Sequence, residues 1–130
     1  MTMEQKVTNG IKISIKTRYN GTIIKGTDEF HTFSYYITIE NNTKDRVQLL
    51  ERYWEISDAL NNKEFVEGEG VVGEKPIIEP QGFHTYKSNC FLFATYGSMK
   101  GHFTMINLDT NKKFKVTIPT FQLTCTALLN

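Results

Sequence analysis

Residues 68–80 read Gly-Glu-Gly-Val-Val-Gly-Glu-Lys-Pro-Ile-Ile-Glu-Pro, and the first six carry the GxGxxG spacing of dinucleotide-binding loops. In those loops a helix begins within the glycines, and its free N–H groups and dipole hold the pyrophosphate. No such helix can follow here, because Pro76 and Pro80 flank a β-branched pair, and a proline inside a helix costs about 3 kcal/mol. The stretch therefore predicts a β loop whose glycines supply positive φ and close packing.

The charges around these glycines also disfavour an anion. Glu67, Glu69 and Glu74 flank the loop, and only Lys75 opposes them. Each carboxylate about 7 Å away opposes a phosphate by about 2 kcal/mol, which is comparable to one charge-assisted hydrogen bond. We therefore favour a structural loop in which Gly68, Gly70 or both hold positive φ. Two alternatives stay open, a loop that contacts a partner and a pyrophosphate site built from Gly68, Gly70, Gly73 and Lys75.

Length and charge limit the class of protein. The chain has 130 residues, which suits a single domain over residues 1–130 that buries about two-thirds of its unfolded surface. Its 15 Lys and Arg residues nearly balance 14 Asp and Glu residues. Because this balance creates no overall field, we expect neither nucleic acid nor a membrane as a partner.

The termini and cysteines predict the compartment. Residues 1–6 precede no apolar run, and no stretch approaches the roughly 20 apolar residues of a membrane span. Cys90 and Cys125 are too few and too far apart for a disulfide scaffold or a metal knuckle. We expect them to be small apolar residues of a reducing cytoplasm, in a cytoplasmic protein without a cofactor.

The apolar residues recur with a period of two, which is the spacing of half-buried strands. A first strand from Ile11 to Tyr19 alternates apolar with polar side chains, and Asn20-Gly21 begins a predicted loop that extends to Thr27. The next strand carries one apolar face from Phe33 to Ile39, and residues 40–45 form the turn that ends it.

Residues 46–60 fit two patterns. Leu50, Tyr53, Trp54 and Leu60 could form a helical stripe, but the segment also alternates as a strand whose phase changes after Leu49. We favour a strand with a bulge or a switch between sheets at that point. Trp54 is then expected in the core, close to Tyr35 and Ile37.

The remaining sequence completes an all-β pattern. Strands are predicted at 63–66, 83–88, 102–108 and 113–118, the last continuing past Pro119 to Cys125 after a turn at 109–111. Roughly eight short strands without a convincing helix predict a sandwich of two antiparallel sheets.

Five blocks of sequence, in order, resemble the ApaG family over nearly the whole chain. The blocks are residues 35–41 (YYITIEN), 47–56 (VQLLERYWEI), 66–76 (VEGEGVVGEKP), 97–105 (GSMKGHFTM) and 118–123 (IPTFQL). The resemblance implies a β-sandwich of the fibronectin type III or immunoglobulin-like kind. Two departures from the family pattern are Pro80-Gln81-Gly82, where a Pro-Gly turn is usual, and Thr126, where a proline is usual.

The resemblance also carries expectations about function. It implies a small stand-alone bacterial protein linked to cobalt resistance and magnesium efflux, with genes for a diadenosine tetraphosphate hydrolase and a ribosomal RNA dimethyltransferase nearby. Related eukaryotic domains look like protein-recognition modules. They occur in an F-box protein and in a protein that binds DNA polymerase delta.

The sequence offers no catalytic constellation. Residues 97–101 read GSMKG rather than the GxSxG nucleophile elbow. His31, His84 and His102 are far apart, and neither cysteine has a histidine next to it, so we predict no metal site and no enzyme. The aromatic residues lie mainly on apolar strand faces, which favours a core over a platform for nucleic acid bases.

We therefore expect a non-catalytic module that recognises another protein through a sheet edge or its loops. Arg52 and Glu69 are its candidate partner-binding residues, with Arg52 either stacked on an aromatic ring or paired with a carboxylate near the glycine loop. A homodimer is a further candidate assembly. The alternative is a nucleotide or pyrophosphate sensor acting through Gly68 to Gly73, and hydrolysis of a phosphorylated compound ranks below both.

Overall fold

The computed structural model describes residues 3–125, which form nine β-strands and no helix. No helix able to cross a membrane therefore occurs in this part of the chain. The strands are β1 (Met3–Thr8), β2 (Ile11–Lys25), β3 (Asp28–Asn41), β4 (Val47–Asp58), β5 (Glu64–Glu69), β6 (Ile77–Ile78), β7 (Phe83–Leu92), β8 (Tyr96–Asn107) and β9 (Lys112–Thr124).

The strands pair into two antiparallel sheets. One has four strands in the order β1-β2-β3-β7, and the other has the order β5-β4-β8-β9 with β6 paired to β4. The predicted all-β sandwich is thus confirmed, and the arrangement is consistent with an immunoglobulin-like fold. The strand predicted at residues 46–60 is confirmed as well, since β4 pairs with both β5 and β8.

The loop predicted from Asn20 to Thr27 is wrong. β2 continues to Lys25 and pairs with β3 along its length, with a bulge between Tyr19 and Thr22. An Asn-Gly pair is typical of a hairpin turn, but Gly21 adopts a φ of 91° inside the bulge instead. The turn itself lies at residues 26–27, where Gly26 has a φ of 63°.

Two strands have no counterpart in the sequence prediction, and several others, β7 and β8 among them, are longer than expected. β1 is almost wholly exposed, so it shows no apolar period, and β6 has only two residues. β7 continues to Leu92, and β8 begins at Tyr96 rather than at His102.

The Pro80-Gln81-Gly82 turn is built without glycine at its left-handed position. Gln81 itself has a φ of 65°. Its N–H donates to the Asn41 carbonyl at 2.8 Å, and its side-chain amide donates to the Thr43 carbonyl at 3.3 Å. These two hydrogen bonds offset the strain of a non-glycine residue there. The other departure from the family pattern, Thr126, lies outside the described residues.

A bulge explains the change of phase seen in the sequence of β4, and a second bulge lies in β9. In β4 the register shifts between Leu49 and Glu51, so that Leu49 and Trp54 both face the core. In β9 two residues, Pro119 and Thr120, lie opposite Lys100 alone. A bulge tolerates a proline because it interrupts the hydrogen-bonded ladder, and β9 therefore continues past Pro119.

The core lies between the two sheets, and Trp54 is 3% exposed within it. Its ring meets that of Tyr35 with centroids 5.5 Å apart and that of Phe121 edge-on at 5.8 Å. Tyr35 belongs to one sheet, whereas Trp54 and Phe121 belong to the other. The expected position of Trp54 next to Tyr35 is confirmed, and these three rings join the sheets.

The two sides of the sandwich differ. On one side β1 and β2 lie against β9, and the Thr117 N–H donates to the Thr8 hydroxyl at 3.3 Å. On the other side β7 ends one sheet and β5 ends the other, and these two strands do not pair. The sandwich is therefore closed along β1 and β9 and open along β5 and β7.

Truncation of Trp54 to alanine should destabilise the fold by about 3–5 kcal/mol, because it removes the ring that contacts both sheets. Equilibrium unfolding in urea measures the change. Phe83, whose side chain is 71% exposed, provides the control, since Phe83→Ala should change stability by no more than about 0.5 kcal/mol. Equal losses for the two variants would contradict this account of the core.

Candidate functional site

The open side of the sandwich forms a groove that is the candidate functional site. Two adjoining cavities of about 430 and 470 Å³ occupy it. Both are lined by the same five residues, Tyr35, Arg52, Trp54, Ser88 and Asn89. We call this feature the β5–β7 groove. A wider cavity of about 570 Å³ lies on the outer face of the four-stranded sheet, among strand side chains from Met3 to Phe83.

Arg52 occupies the centre of the β5–β7 groove. The bulge in β4 places Arg52 on the inner face with Trp54, and its side chain is half-buried. Its Nη1 donates to the backbone carbonyls of Glu69 and Gly70, each at 3.0 Å. Neither expected arrangement of Arg52 is found among residues 3–125, since no ion pair and no aromatic stacking involves it there. The arginine instead holds the glycine loop by its backbone.

The glycines of the loop are explained by this contact. Gly68 pairs with Arg52 across the strands, and a Cβ on Gly68 would lie 2.8 Å from Arg52 Nη2. Gly70 has a φ of 64°, and a Cβ there would collide with the Glu74 carbonyl oxygen. The expectation of positive φ at Gly68, Gly70 or both is thus confirmed at Gly70, while Gly68 leaves room for the guanidinium group.

The tip of the loop is a strained turn. Val71 and Glu74 exchange two backbone hydrogen bonds of 2.8 and 3.0 Å, and the residues between them, Val72 and Gly73, have φ values of 48° and 76°. Positive φ at both central residues is the pattern of a type I′ turn, which favours Asn-Gly. Val72 is β-branched and 64% exposed, so its conformation costs free energy without a gain from burial.

Several backbone N–H groups of the glycine loop, residues 68–74, already donate hydrogen bonds within the protein. Those of Gly70, Val71 and Glu74 donate to backbone carbonyls at 2.8–3.0 Å. Lys75 lies 3.4 Å from the Glu69 carboxylate, so its charge is partly neutralised. The pyrophosphate site at Gly68, Gly70, Gly73 and Lys75 stays a prediction, and these bonds leave it fewer donors than a phosphate-binding loop has.

Hydroxyl groups surround Arg52. Burial raises the pKa of Tyr35 and of Tyr86. The nearby positive charge of Arg52 partly offsets this rise, because it favours the ionised phenolate. The Tyr86 hydroxyl is buried with no hydrogen-bond partner among residues 3–125. Ser88 lies beside Tyr35 on β7 and lines the groove. The groove therefore places the hydroxyl-bearing residues Tyr35 and Ser88 beside a positive charge.

The histidines lie apart in the structure. His31 Nδ1 lies 3.0 Å from the Tyr19 hydroxyl and 3.5 Å from Cys125 Sγ. His84 Nε2 is 3.9 Å from the Glu74 carboxylate, and His102 stacks on Tyr53. The contact of His31 with Cys125 joins residues that are 94 positions apart, so sequence spacing could not reveal it.

The cysteines are free thiols in buried positions, as expected for small apolar residues. Burial raises the pKa of Cys90 to about 12 and also raises that of Cys125. A thiol in this state is a poor nucleophile. Among residues 3–125, no three His, Cys, Asp or Glu side chains are grouped closely enough to hold a metal ion.

Polar residues of β7 are the part of the groove that sequence analysis missed. Ser88 and Asn89 lie between Tyr86 and Phe91 on β7. The strand predicted from the sequence ended at Ser88. The role of these two residues depends on β7 being the last strand of its sheet, and strand order is not visible in the periodicity.

Comparison with known proteins gives consistent matches. A family model described as the ApaG domain matches residues 24–107. The chain is 41% identical to Protein ApaG of Shewanella sediminis, covering 94% of this chain and 96% of that protein. It is 37% identical to Protein ApaG of Proteus mirabilis, with 92% and 95% covered. The X-ray structure of a Northeast Structural Genomics Consortium target is similar with a TM-score of 0.87, at 35% identity and with 94% and 92% covered.

Alanine at Gly70 should destabilise the protein by about 2–5 kcal/mol, because left-handed strain adds to a collision with the Glu74 carbonyl. Gly73 is the matched control, since it also has positive φ but a Cβ added there would meet no heavy atom within 4 Å beyond its chain neighbours. Gly73→Ala should cost only about 1–2 kcal/mol. Urea unfolding of both variants tests the order, and a Gly73→Ala loss equal to or above that of Gly70→Ala would refute the packing role of Gly70.

Proposed function

Because the chain belongs to the ApaG domain family, we propose that it acts as a non-catalytic binding module that recognises another protein through the β5–β7 groove. The groove is formed by two unpaired strand edges and a turn, which are the parts of a β-sandwich best suited to hold a partner segment. Arg52 and Glu69, the candidate partner-binding residues, line this groove at its centre and rim.

The observation that carries this proposal is the position of Arg52. A half-buried guanidinium group lies in a groove between two sheets, and no carboxylate among residues 3–125 comes within the 4 Å of an ion pair with it. A charge of this kind is stabilised when a partner supplies hydrogen-bond acceptors and excludes water. Arginine is also among the residues that contribute most to protein interfaces.

The turn at Val72 supports the same proposal. An exposed valine in a left-handed conformation adds nothing to the core, and Val72 lines one end of the groove. Backbone strain that gives no benefit to the fold is often kept for function. We propose that Val72 supplies an apolar contact to the partner.

The family's link with cobalt resistance and magnesium efflux fits an indirect role. We propose that an effect on cation levels passes through the protein partner. Carboxylates and histidines are the usual ligands of such ions. Among residues 3–125, those that line the β5–β7 groove are Glu64 at one end and Glu69 at the other.

Photo-crosslinking tests the binding module. A benzophenone amino acid replaces Glu69, which has a 77% exposed side chain at the groove, and the variant is irradiated in an extract of cells that express the protein. We expect a discrete adduct with another protein from position 69. Matched variants carry the same probe at Lys16, on the outer face of the four-stranded sheet, and at Lys113 on β9.

The controls decide where recognition occurs. The same adduct from positions 16 or 113, or an adduct only with a second copy of the chain, would count against recognition of another protein through the groove. Absence of any adduct from position 69 would also count against recognition through the groove.

The nucleotide-sensor alternative predicts a different result. A ligand at about 100 times its dissociation constant would stabilise the folded state by about 2.7 kcal/mol, which is several degrees in melting temperature for a chain of this size. We expect no shift with ATP, GTP or diadenosine tetraphosphate alone, because Glu67, Glu69 and Glu74 repel phosphate. Only a small shift is expected with Mg²⁺. A saturable shift without metal that is lost in Lys75→Gln would favour the sensor.

A further inference from the structure

We propose that the occupant of the β5–β7 groove is an extended segment of the partner protein that adds to the free edge of β7 and places an acidic side chain on Arg52. The inference rests on the proposed function and specifies the chemistry of its partner. Two separate features carry it, the regular edge of β7 and the incomplete coordination of Arg52.

β7 is a suitable template for another strand. It has ten residues, which is about 34 Å of extended chain, and all ten pair with β3 without a register shift. It contains no proline, and the edge away from β3 has no partner strand in the sheet. A long regular edge leaves a row of N–H and C=O groups that an incoming strand can bond.

Proteins usually protect an edge of this length by a bulge, a proline or a covering segment. The two edge strands on the closed side, β1 and β9, show such protection. β1 lies against β9 on the closed side, and β9 carries the bulge at Pro119 and Thr120. β7 has none of these devices along residues 83–92, and its free edge borders the groove.

Arg52 specifies the charge of the incoming strand. One of its nitrogens, Nη1, makes both bonds to the glycine loop, and these are the only side-chain hydrogen bonds of Arg52 among residues 3–125. Nε and Nη2 are therefore left for a partner. A carboxylate matches the planar guanidinium group and accepts two hydrogen bonds from it. Tyr35 and Ser88 line the same groove, so their hydroxyls add polar groups beside Arg52.

Charge also selects β7 over β5 as the strand that the segment joins. β5 has six residues, and three of them are Glu64, Glu67 and Glu69. These carboxylates repel an acidic segment, whereas β7 carries no acidic residue and one lysine. The acidic side chain can therefore reach Arg52 from β7 with less repulsion.

The probe for the experiment is a phage-displayed library of random linear peptides, selected on the full-length protein. We expect the selected peptides to share Asp or Glu at one position. Synthetic versions with Glu changed to Gln, or Asp to Asn, should bind at least about tenfold more weakly. Arg52→Gln should weaken the acidic peptide to a similar degree, and the acid-to-amide change should then have no further effect. Arg18→Gln, on the exposed outer face of β2, is the matched control and should leave binding unchanged.

Backbone N-methylation of the same peptides tests strand addition without altering the protein. Methyl groups at alternate positions should abolish binding, and those at the intervening positions should be tolerated, because only every second N–H of an added strand faces β7. Loss of binding at four consecutive positions would indicate a helical ligand and overturn the proposal.

The outcomes separate this inference from the proposed function. Peptides that depend on the groove but show no acidic preference, or no coupling to Arg52, would disprove the acidic strand while leaving the binding module in place. If no peptide is selected although position 69 still crosslinks a protein, the linear segment is wrong and the module stands. If neither result is obtained, both proposals fail.

A melting curve of Arg52→Gln shows whether the variant is folded, and the peptide substitutions on the unmodified protein test the carboxylate independently.

Discussion

A charged group between two sheets must find polar partners, and Arg52 imposes that requirement on the open side of the sandwich. The backbone carbonyls of Glu69 and Gly70 meet it in part. The loop can present both carbonyls because Gly70 adopts a left-handed conformation, and Gly68 can lie under the guanidinium group because it has no side chain. Accommodation of one arginine thus accounts for Gly68 and Gly70, and the left-handed turn accounts for Gly73.

The same requirement explains why the two sides of the sandwich differ. Where β1 and β9 meet, the inner positions are apolar and the sheets close over them. Where β5 and β7 face each other, Arg52 and the nearby hydroxyl groups keep polar atoms between the sheets, and a groove remains. The asymmetry of the surface therefore follows from a single inward-facing residue of β4.

The sequence predicted most of the fold because period two is a local property. The alternation in β2 and β3 and the phase change in β4 identify strands without knowledge of their neighbours. β1 was missed because nearly all of its side chains are exposed, and the bulge at Asn20-Gly21 was missed because that pair also fits a turn. The groove could not be predicted, since Arg52 binds backbone carbonyls, and the identity of a residue does not reveal which carbonyl will face it.

Because of the bulge at Leu50, the number of residues in β4 matters as much as their identity. Because side chains alternate between faces, loss of one residue before Arg52 would exchange the two faces of everything that follows. Arg52 and Trp54 would turn to solvent, and Glu51, Tyr53 and Glu55 would turn inward. Conservative substitutions along this strand change one contact at a time, whereas a single-codon deletion would remove the core anchor and the groove arginine together. During evolution, insertions and deletions should therefore be purged from residues 49–54 more strictly than most amino-acid replacements.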